Sequence, residues 1–220
     1  MNQYFKDRAD AAVQLIDALP IERIRAEHWK IIAVSSGGLI IASAIAKRTG
    51  ICVEVLFSEA IHAPANADCE LGRVSETEEI VVNEELVDAF GIQYDYIYGE
   101  AHRKHEERIL SNVYKFRKGT QFPNLKDQHV LLIDEGCESG LKLMTGIKTA
   151  MSMDAKAVFV GIPVAPKSVA EALNQIVDES YIVHEVNDYV KTYCYYKDFR
   201  AISDDEIEEI LDNRASQNKK

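Results

Sequence analysis

The chain has 220 residues, 36 of them Asp or Glu against 25 Lys or Arg, for a formal net charge of −11. That length is one domain's worth and can bury a sizeable core, while the acidic excess argues against a nucleic-acid footprint or docking on anionic lipid. Cys52, Cys69, Cys137 and Cys194 form no Cys-x-x-Cys, which fits a reducing compartment without a zinc site.

The opening residues, Met1 to Arg8, do not read as a signal peptide. The longest apolar run, Leu39 to Ile45, falls far short of the ~20 residues of a membrane span. A cytoplasmic protein is expected. Residues 2–19 read as a helix: Phe5, Ala12, Leu15, Ile16 and Leu19 recur at helical spacing, Lys6, Asp7, Arg8 and Asp10 lie on the other side, and Pro20 ends it. Residues 31–34 form a short buried strand. Ser35, Ser36, Gly37 and Gly38 follow, then an apolar helix from Leu39 to Arg48 stopped by Gly50, then a strand over 51–57. Strand, loop, helix and strand in this order signal a parallel sheet. The Ser35–Gly38 turn reads equally as a phosphate-competent loop or as a tight turn whose glycines allow close helix packing.

Residues 58–68 read as a loop and Leu71 to Val82 as a hairpin around Glu76–Glu79. Asn83 caps a helix over Glu84 to Phe90, with Gly91 beyond it. Residues 94–118 read as one long charged helix. The bland account of its charges is a solvated face. Pro123 leads into Val130 to Ile133, four apolar residues that read as a buried strand. Two acids, Asp134 and Glu135, follow at once, then Gly136, Cys137, Glu138, Ser139 and Gly140. A helical pattern starts at Leu141 and Lys142 and continues through Met144, Ile147, Lys148 and Met151. Carboxylates at the carboxyl end of a strand, beside the N–H groups of a helix start, suit a phosphorylated sugar. The helix start favours the phosphate, and the acids hold ribose hydroxyls or, through water, Mg²⁺. Further on, Ala157 to Val164 and Val177 to Val183 read as strands, and Ser168 with Glu171 has capping-box spacing at the start of a helix. Tyr189, Tyr193, Tyr195, Tyr196 and Phe199 form an aromatic cluster suited first of all to packing. Ser203 with Glu206 caps a final helix over Ile207 to Leu211, and 213–220 reads as a frayed tail.

The stretch from Val130 to Lys142 resembles the 5-phosphoribosyl diphosphate (PRPP) loop of type I phosphoribosyltransferases: a hydrophobic strand, two acids, Gly, an apolar residue, then Ala-Thr-Gly-Ala/Gly-Thr. Asp134 and Glu135 match the acidic pair, Gly136 the first Gly, Cys137 the apolar position, Ser139 the first Thr and Gly140 the next Gly. Glu138, Leu141 and Lys142 depart from the pattern. A carboxylate inside a phosphate cradle is repelled, so Glu138 is either offset by Lys142 or turned outward. A branch of predicted phosphoribosyltransferases reads Leu-Pro-Arg-Gly-Gly at the other loop, where Gly37 and Gly38 match while Ser35 and Ser36 replace Pro and Arg. Gly72, Asn83 to Val87, Pro163 to Pro166 and Tyr196 to Phe199 match that branch too. In all, the resemblance spans roughly residues 5–211.

The resemblance implies a single three-layer α/β domain over 1–220, with a mainly parallel sheet of about five strands and a hood or lid near 58–125. It implies transfer of a phosphoribosyl group from PRPP to a nitrogenous base or related acceptor, with release of pyrophosphate. Asp134 and Glu135 would hold ribose and the metal shell. Gly136 to Lys142 would take the 5′-phosphate and Ser35 to Gly38 the pyrophosphate, while Arg103 or Lys104 would supply a lid cation. Mg²⁺ would arrive with PRPP, an aromatic near Tyr193 would face the base, and a homodimer is the family habit. The departures leave a second reading open: a catalytically degenerate, nucleotide- or PRPP-binding regulatory protein. A phosphatase or hydrolase using the acidic pair is a third, weakened by the lack of an Asp-x-Asp.

Overall fold

The structure, a computed structural model, describes residues 3–64 and 66–217, with side chains as far as 212. Its elements run α1 (Arg8–Ala18), α2 (Ile21–Ala26), β1 (Lys30–Ala33), α3 (Ser36–Thr49), β2 (Val53–Val55), β3 (Ser58–Ala63), β4 (Asn66–Ser75), β5 (Ile80–Val82) and α4 (Glu84–Ala89). Then come α5 (Tyr94–Lys104), a π-helical turn (His105–Ile109), α6 (Leu110–Arg117), β6 (His129–Ile133), α7 (Leu141–Ser152), β7 (Ala157–Pro166), α8 (Lys167–Leu173), β8 (Glu179–Val186), a 3₁₀ turn (Thr192–Tyr195) and α9 (Asp204–Gln217).

Five strands form one parallel sheet in the order β2-β1-β6-β7-β8, the α/β architecture expected. Its central strands β1, β6 and β7 are near-continuous apolar runs because both faces are covered. Alternate residues feed opposite layers. Ile31, Ala33, Leu131, Ile133 and Phe159 face a core shared with α1 and α3. Ile32, Val34, Val130, Leu132, Val158 and Val160 face a second core under α7 and α8. Trp29 stacks on Phe159 at 3.9 Å and donates its indole N–H to Glu27. After β1 the chain runs outward to β2, and it returns at β6 on the other side of β1. This is a topological switch point, where ligands of open α/β sheets collect at the carboxyl edge.

Several local expectations are corrected. The first helix begins at Arg8, not at residue 2: Asp7 caps it through the Asp10 N–H, and Phe5 bridges to Tyr196 beside β8. Met1 and Asn2 lie outside the described residues. Part of the expected loop at 58–68 is strand. β3 and β4 pair antiparallel with register shifts near His62, and β5 completes a three-stranded sheet around the expected turn at 76–79. Ala65, in the middle of that stretch, lies outside the described residues. The long charged helix is interrupted by the π turn at 105–109. Ser168 makes no cap, since α8 already begins at Lys167 behind Pro166. The last helix is longer than expected, from Asp204 to Gln217. Ser203 and Glu206 exchange capping bonds at its start as their spacing demands. Residues 218–220 of the expected frayed tail lie outside the described residues. Among the described residues no helix is long and apolar enough to cross a membrane.

Candidate functional site

The loops after β1 and β6 meet at the switch point. Val34 N–H bonds the Ile133 carbonyl at 3.0 Å, which carries the parallel register into the loops. Ser35 caps α3 by accepting from Gly38 N–H at 2.9 Å, and its hydroxyl donates to Asp134 Oδ1. Asp134, itself buried, also accepts from the Glu135 N–H at 2.8 Å, and Lys142 Nζ lies 3.6 Å from its other oxygen. One carboxylate thus ties together the β1 loop, the β6 loop and the first turn of α7.

The glycines of the first loop are there for close approach. A Cβ on Gly38 would stand 2.5 Å from the Ile133 carbonyl oxygen and 2.9 Å from Asp134 Cα, and one on Gly37 would overlap the Glu135 carboxylate. That carboxylate is salt-bridged to Arg8 Nε. Burial first, then the charge of Asp134, hold the Glu135 carboxyl above its ordinary pKa, and Arg8 opposes both. Tyr196 donates to the Glu135 carbonyl at 2.6 Å, and burial, then the charge of Glu135, raise its phenol's pKa.

The second loop opens onto a cleft of about 660 Å³. Gly136, Cys137, Glu138, Ser139, Gly140 and Lys142 form one wall. Asp68, Cys69, Glu70 and Arg73 of β4 also line it, with Thr192, Tyr193 and Phe199. Gly140, at φ +81, turns the chain into α7. The Cys137 N–H is spent on the Val164 carbonyl at 3.2 Å and the Leu141 N–H on Ser139 Oγ at 3.5 Å. The amides of Glu138, Ser139 and Lys142 have no acceptor among the described residues. Burial pushes the Cys137 thiol up to about 12, so it is no nucleophile at neutral pH.

Glu138 is tied to the loop at 191–192, which lines the same cleft, rather than to Lys142. Its carboxylate accepts from Thr192 N–H at 3.1 Å and pairs with Lys191 at 2.8 Å, while Lys142 turns to Asp134. The loop at 191–192 is thereby clipped over Gly136, where a Cβ would stand 2.5 Å from Thr192 Cγ2. Glu138→Ala is therefore expected to cost only about 1 kcal/mol, since the Lys191 pair is exposed and one backbone bond is lost. It should speed amide exchange at Thr192 without tightening phosphate binding. Several-fold tighter binding of inorganic phosphate would place the carboxylate in the cradle instead.

Arg103 and Lys104 lie on α5 and do not line the cleft; Arg103 is bound to Glu100 and Glu107 of its own helical run. Among the described residues no group of three or more His, Cys, Asp or Glu could hold a metal ion.

No family model matches the chain. Two proteins from Mycobacterium tuberculosis, named "Putative phosphoribosyl transferase MT0597" (strain CDC 1551 / Oshkosh) and "Putative phosphoribosyl transferase Rv0571c" (strain ATCC 25618 / H37Rv), are each 23% identical over 209 residues, 94% of this chain. The chain is thus similar to proteins named as phosphoribosyl transferases. It spans about half the length of these curated relatives, 46%. The structure of TT1426 from Thermus thermophilus has the same fold, with a TM-score of 0.76 and 24% identity over 96% of this chain and 98% of that one.

Three contributors to the site escape a sequence reading. Arg8 carries one local signal: a cation in the first turn of a helix runs against the helix dipole. Arg73 sits on a strand that reads in part as loop; it bonds Glu70 at 2.8 Å and Ser58 Oγ at 3.2 Å. Thr192 has no local signal.

Proposed function

We propose that the chain binds PRPP with Mg²⁺ and transfers its phosphoribosyl group to a nitrogenous base or related acceptor, releasing pyrophosphate. The observation that carries this reading is the tie of Glu138 to the 191–192 loop. The amides of Glu138, Ser139 and Lys142 have no acceptor among the described residues and belong to a loop that lines a cleft next to two adjacent carboxylates. A 5′-phosphate suits those amides and the helix dipole. Asp134 and Glu135 suit ribose hydroxyls. Asp68, Glu70, Asp134, Glu135 and Glu138 outnumber Arg73, Lys142 and Lys191 around the cleft, so a polyanionic donor needs its charge carried in with it. Mg²⁺ does this: it keeps several waters and binds through one or two carboxylates plus substrate phosphates. The donor set fits an ion delivered with the diphosphate rather than one caged by protein.

Departure of pyrophosphate leaves oxocarbenium character at C1 of the ribose. The chain's contribution is to orient the sugar and to place negative charge beside that carbon. No protein nucleophile is needed, in keeping with the raised thiol pKa of Cys137. The segment near 58–125, which supplies Arg73 and its neighbours to the cleft, is the part of the chain proposed to cover the acceptor.

Calorimetric titration of PRPP with Mg²⁺ tests the reading. Micromolar to sub-millimolar binding is expected, weakened about 100-fold in the double variant Asp134→Asn/Glu135→Gln, which removes two charge-assisted contacts. No heat at millimolar PRPP, or unchanged binding by the variant, would sink it.

A further inference from the structure

The loop assigned to the diphosphate lacks a cation: Ser35, Ser36, Gly37 and Gly38 carry none, and Lys142 is drawn to Asp134. The guanidinium that reaches this corner belongs to Arg8, at the start of α1, and its side chain is only 10% exposed. It lies 4.1 Å over the ring of Phe199, a cleft residue, and its Nη1 donates to the Arg200 carbonyl at 2.9 Å. Nε is on Glu135, and Nη2 has no acceptor among the described residues. Stacking and one backbone bond thus fix the plane of the fork while half of its anion-binding edge stays open.

An anion already occupies this corner. The Glu135 carboxylate lies against Gly37 at the first turn of α3, so close that a Cβ there would overlap it. The amides of Ser36 and Gly37 stand in that first turn, where no intrahelical acceptor exists. The Glu135 carboxylate, bonded to the guanidinium, lies beside this helix start. Burial and Asp134 both work against the charge of that carboxylate, and Arg8 supports it.

We propose that Arg8 is a diphosphate-binding residue: Glu135 holds it in the free protein, and it passes to the ligand when the donor's diphosphate displaces the carboxylate from the start of α3. The assignment rests on the phosphoribosyl-donor reading and adds to it the cation missing from the loop. Glu135, once displaced, is free to turn toward the ribose.

The test is calorimetric titration of the full chain with inorganic pyrophosphate in Mg²⁺ and, separately, with ribose 5-phosphate. Arg8→Met is expected to bind pyrophosphate about 10- to 100-fold more weakly than wild type, the loss for a charge-assisted fork, with a much smaller change in ribose 5-phosphate affinity. Arg8→Lys should fall between, keeping the charge but not the fork. Equal pyrophosphate affinity in wild type and Arg8→Met overturns the proposal. Where Arg8→Met fails to fold, Arg8→Lys decides it: a loss confined to pyrophosphate supports the proposal and unchanged affinity overturns it. Wild-type protein that takes ribose 5-phosphate but not pyrophosphate overturns the role of Arg8 and leaves the sugar-phosphate reading standing. Wild-type protein that takes neither overturns both.

Discussion

Glu76→Ala is expected to destabilise the protein by about 3–5 kcal/mol, the cost of removing one partner of a buried pair. Glu76 sits in the turn between β4 and β5, Arg117 is the last residue of α6, and their side chains are 5% and 2% exposed. The other Glu76 oxygen accepts from the Phe57 N–H at 2.9 Å, at the exit from β2. The guanidinium lies 5.2 Å from the ring of Phe57 and 5.6 Å from that of Phe122. One carboxylate therefore joins the small antiparallel sheet, the parallel sheet and the end of the α5–α6 run. In a domain of this size the loss corresponds to a fall in Tm of roughly 6–20 °C. Replacing both partners, as in Glu76→Leu/Arg117→Met, should recover most of it, because a buried pair contributes little over well-packed apolar groups. A single variant melting with wild type would show that the pair is solvated in solution.

Gly38→Ala comes next in size. Helix propensity alone predicts a gain, since Gly38 lies in the first turn of α3 and alanine is better there by up to ~1 kcal/mol. Sterics predict the opposite. The new methyl would meet the Ile133 carbonyl oxygen at 2.5 Å and Asp134 Cα at 2.9 Å, both backbone atoms of a buried strand end. Neither yields as a side chain would, so a net loss of about 1–3 kcal/mol is expected from the strain. The same shift parts Ser35 from Asp134, so PRPP affinity should fall at least about ten-fold, a loss on the scale of one charge-assisted bond. Gly37→Ala is the control: the atoms nearest its methyl belong to the Glu135 carboxylate, the end of a flexible chain. It should cost less stability while still dislodging Glu135. Denaturant unfolding of the two variants side by side separates these effects. Added stability in Gly38→Ala would refute the steric argument.

The centre of the parallel sheet was legible because its strands are apolar runs between punctuation: Ile31 to Val34 before two serines, Val130 to Ile133 before two acids. Burial on both faces is what makes such runs uniform. β3 was not legible. Glu59 and His62 blur its alternation, and it becomes a strand through its pairing with β4. The acidic pair and both glycine loops were legible as local grammar, and so was the choice Glu138 had to make. Its actual partner was not, because Thr192 lies 54 residues away. Arg8 and Glu135, 127 residues apart, meet only through the packing of α1 beside α3. Local spacing carries no information about such a pair.

The Arg8–Arg200 bond spans 192 positions. Around it the strand-like residues 4–6 lace onto 195–198: Tyr4 and Phe5 donate to the Tyr195 carbonyl, Lys197 to Phe5 and Asp198 to Lys6. Arg8 and Tyr196 both grip Glu135, one from each side of this seam. On a ribosome adding roughly 5–20 residues per second, Arg8 waits some 10–40 s, by order of magnitude, for the segment that fixes its plane. A nascent chain can therefore hold its acidic loop between β6 and α7 while the guanidinium is still at large. The anion corner is among the last features to close, and a chain stalled before residue 195 would carry the loops without their clasp.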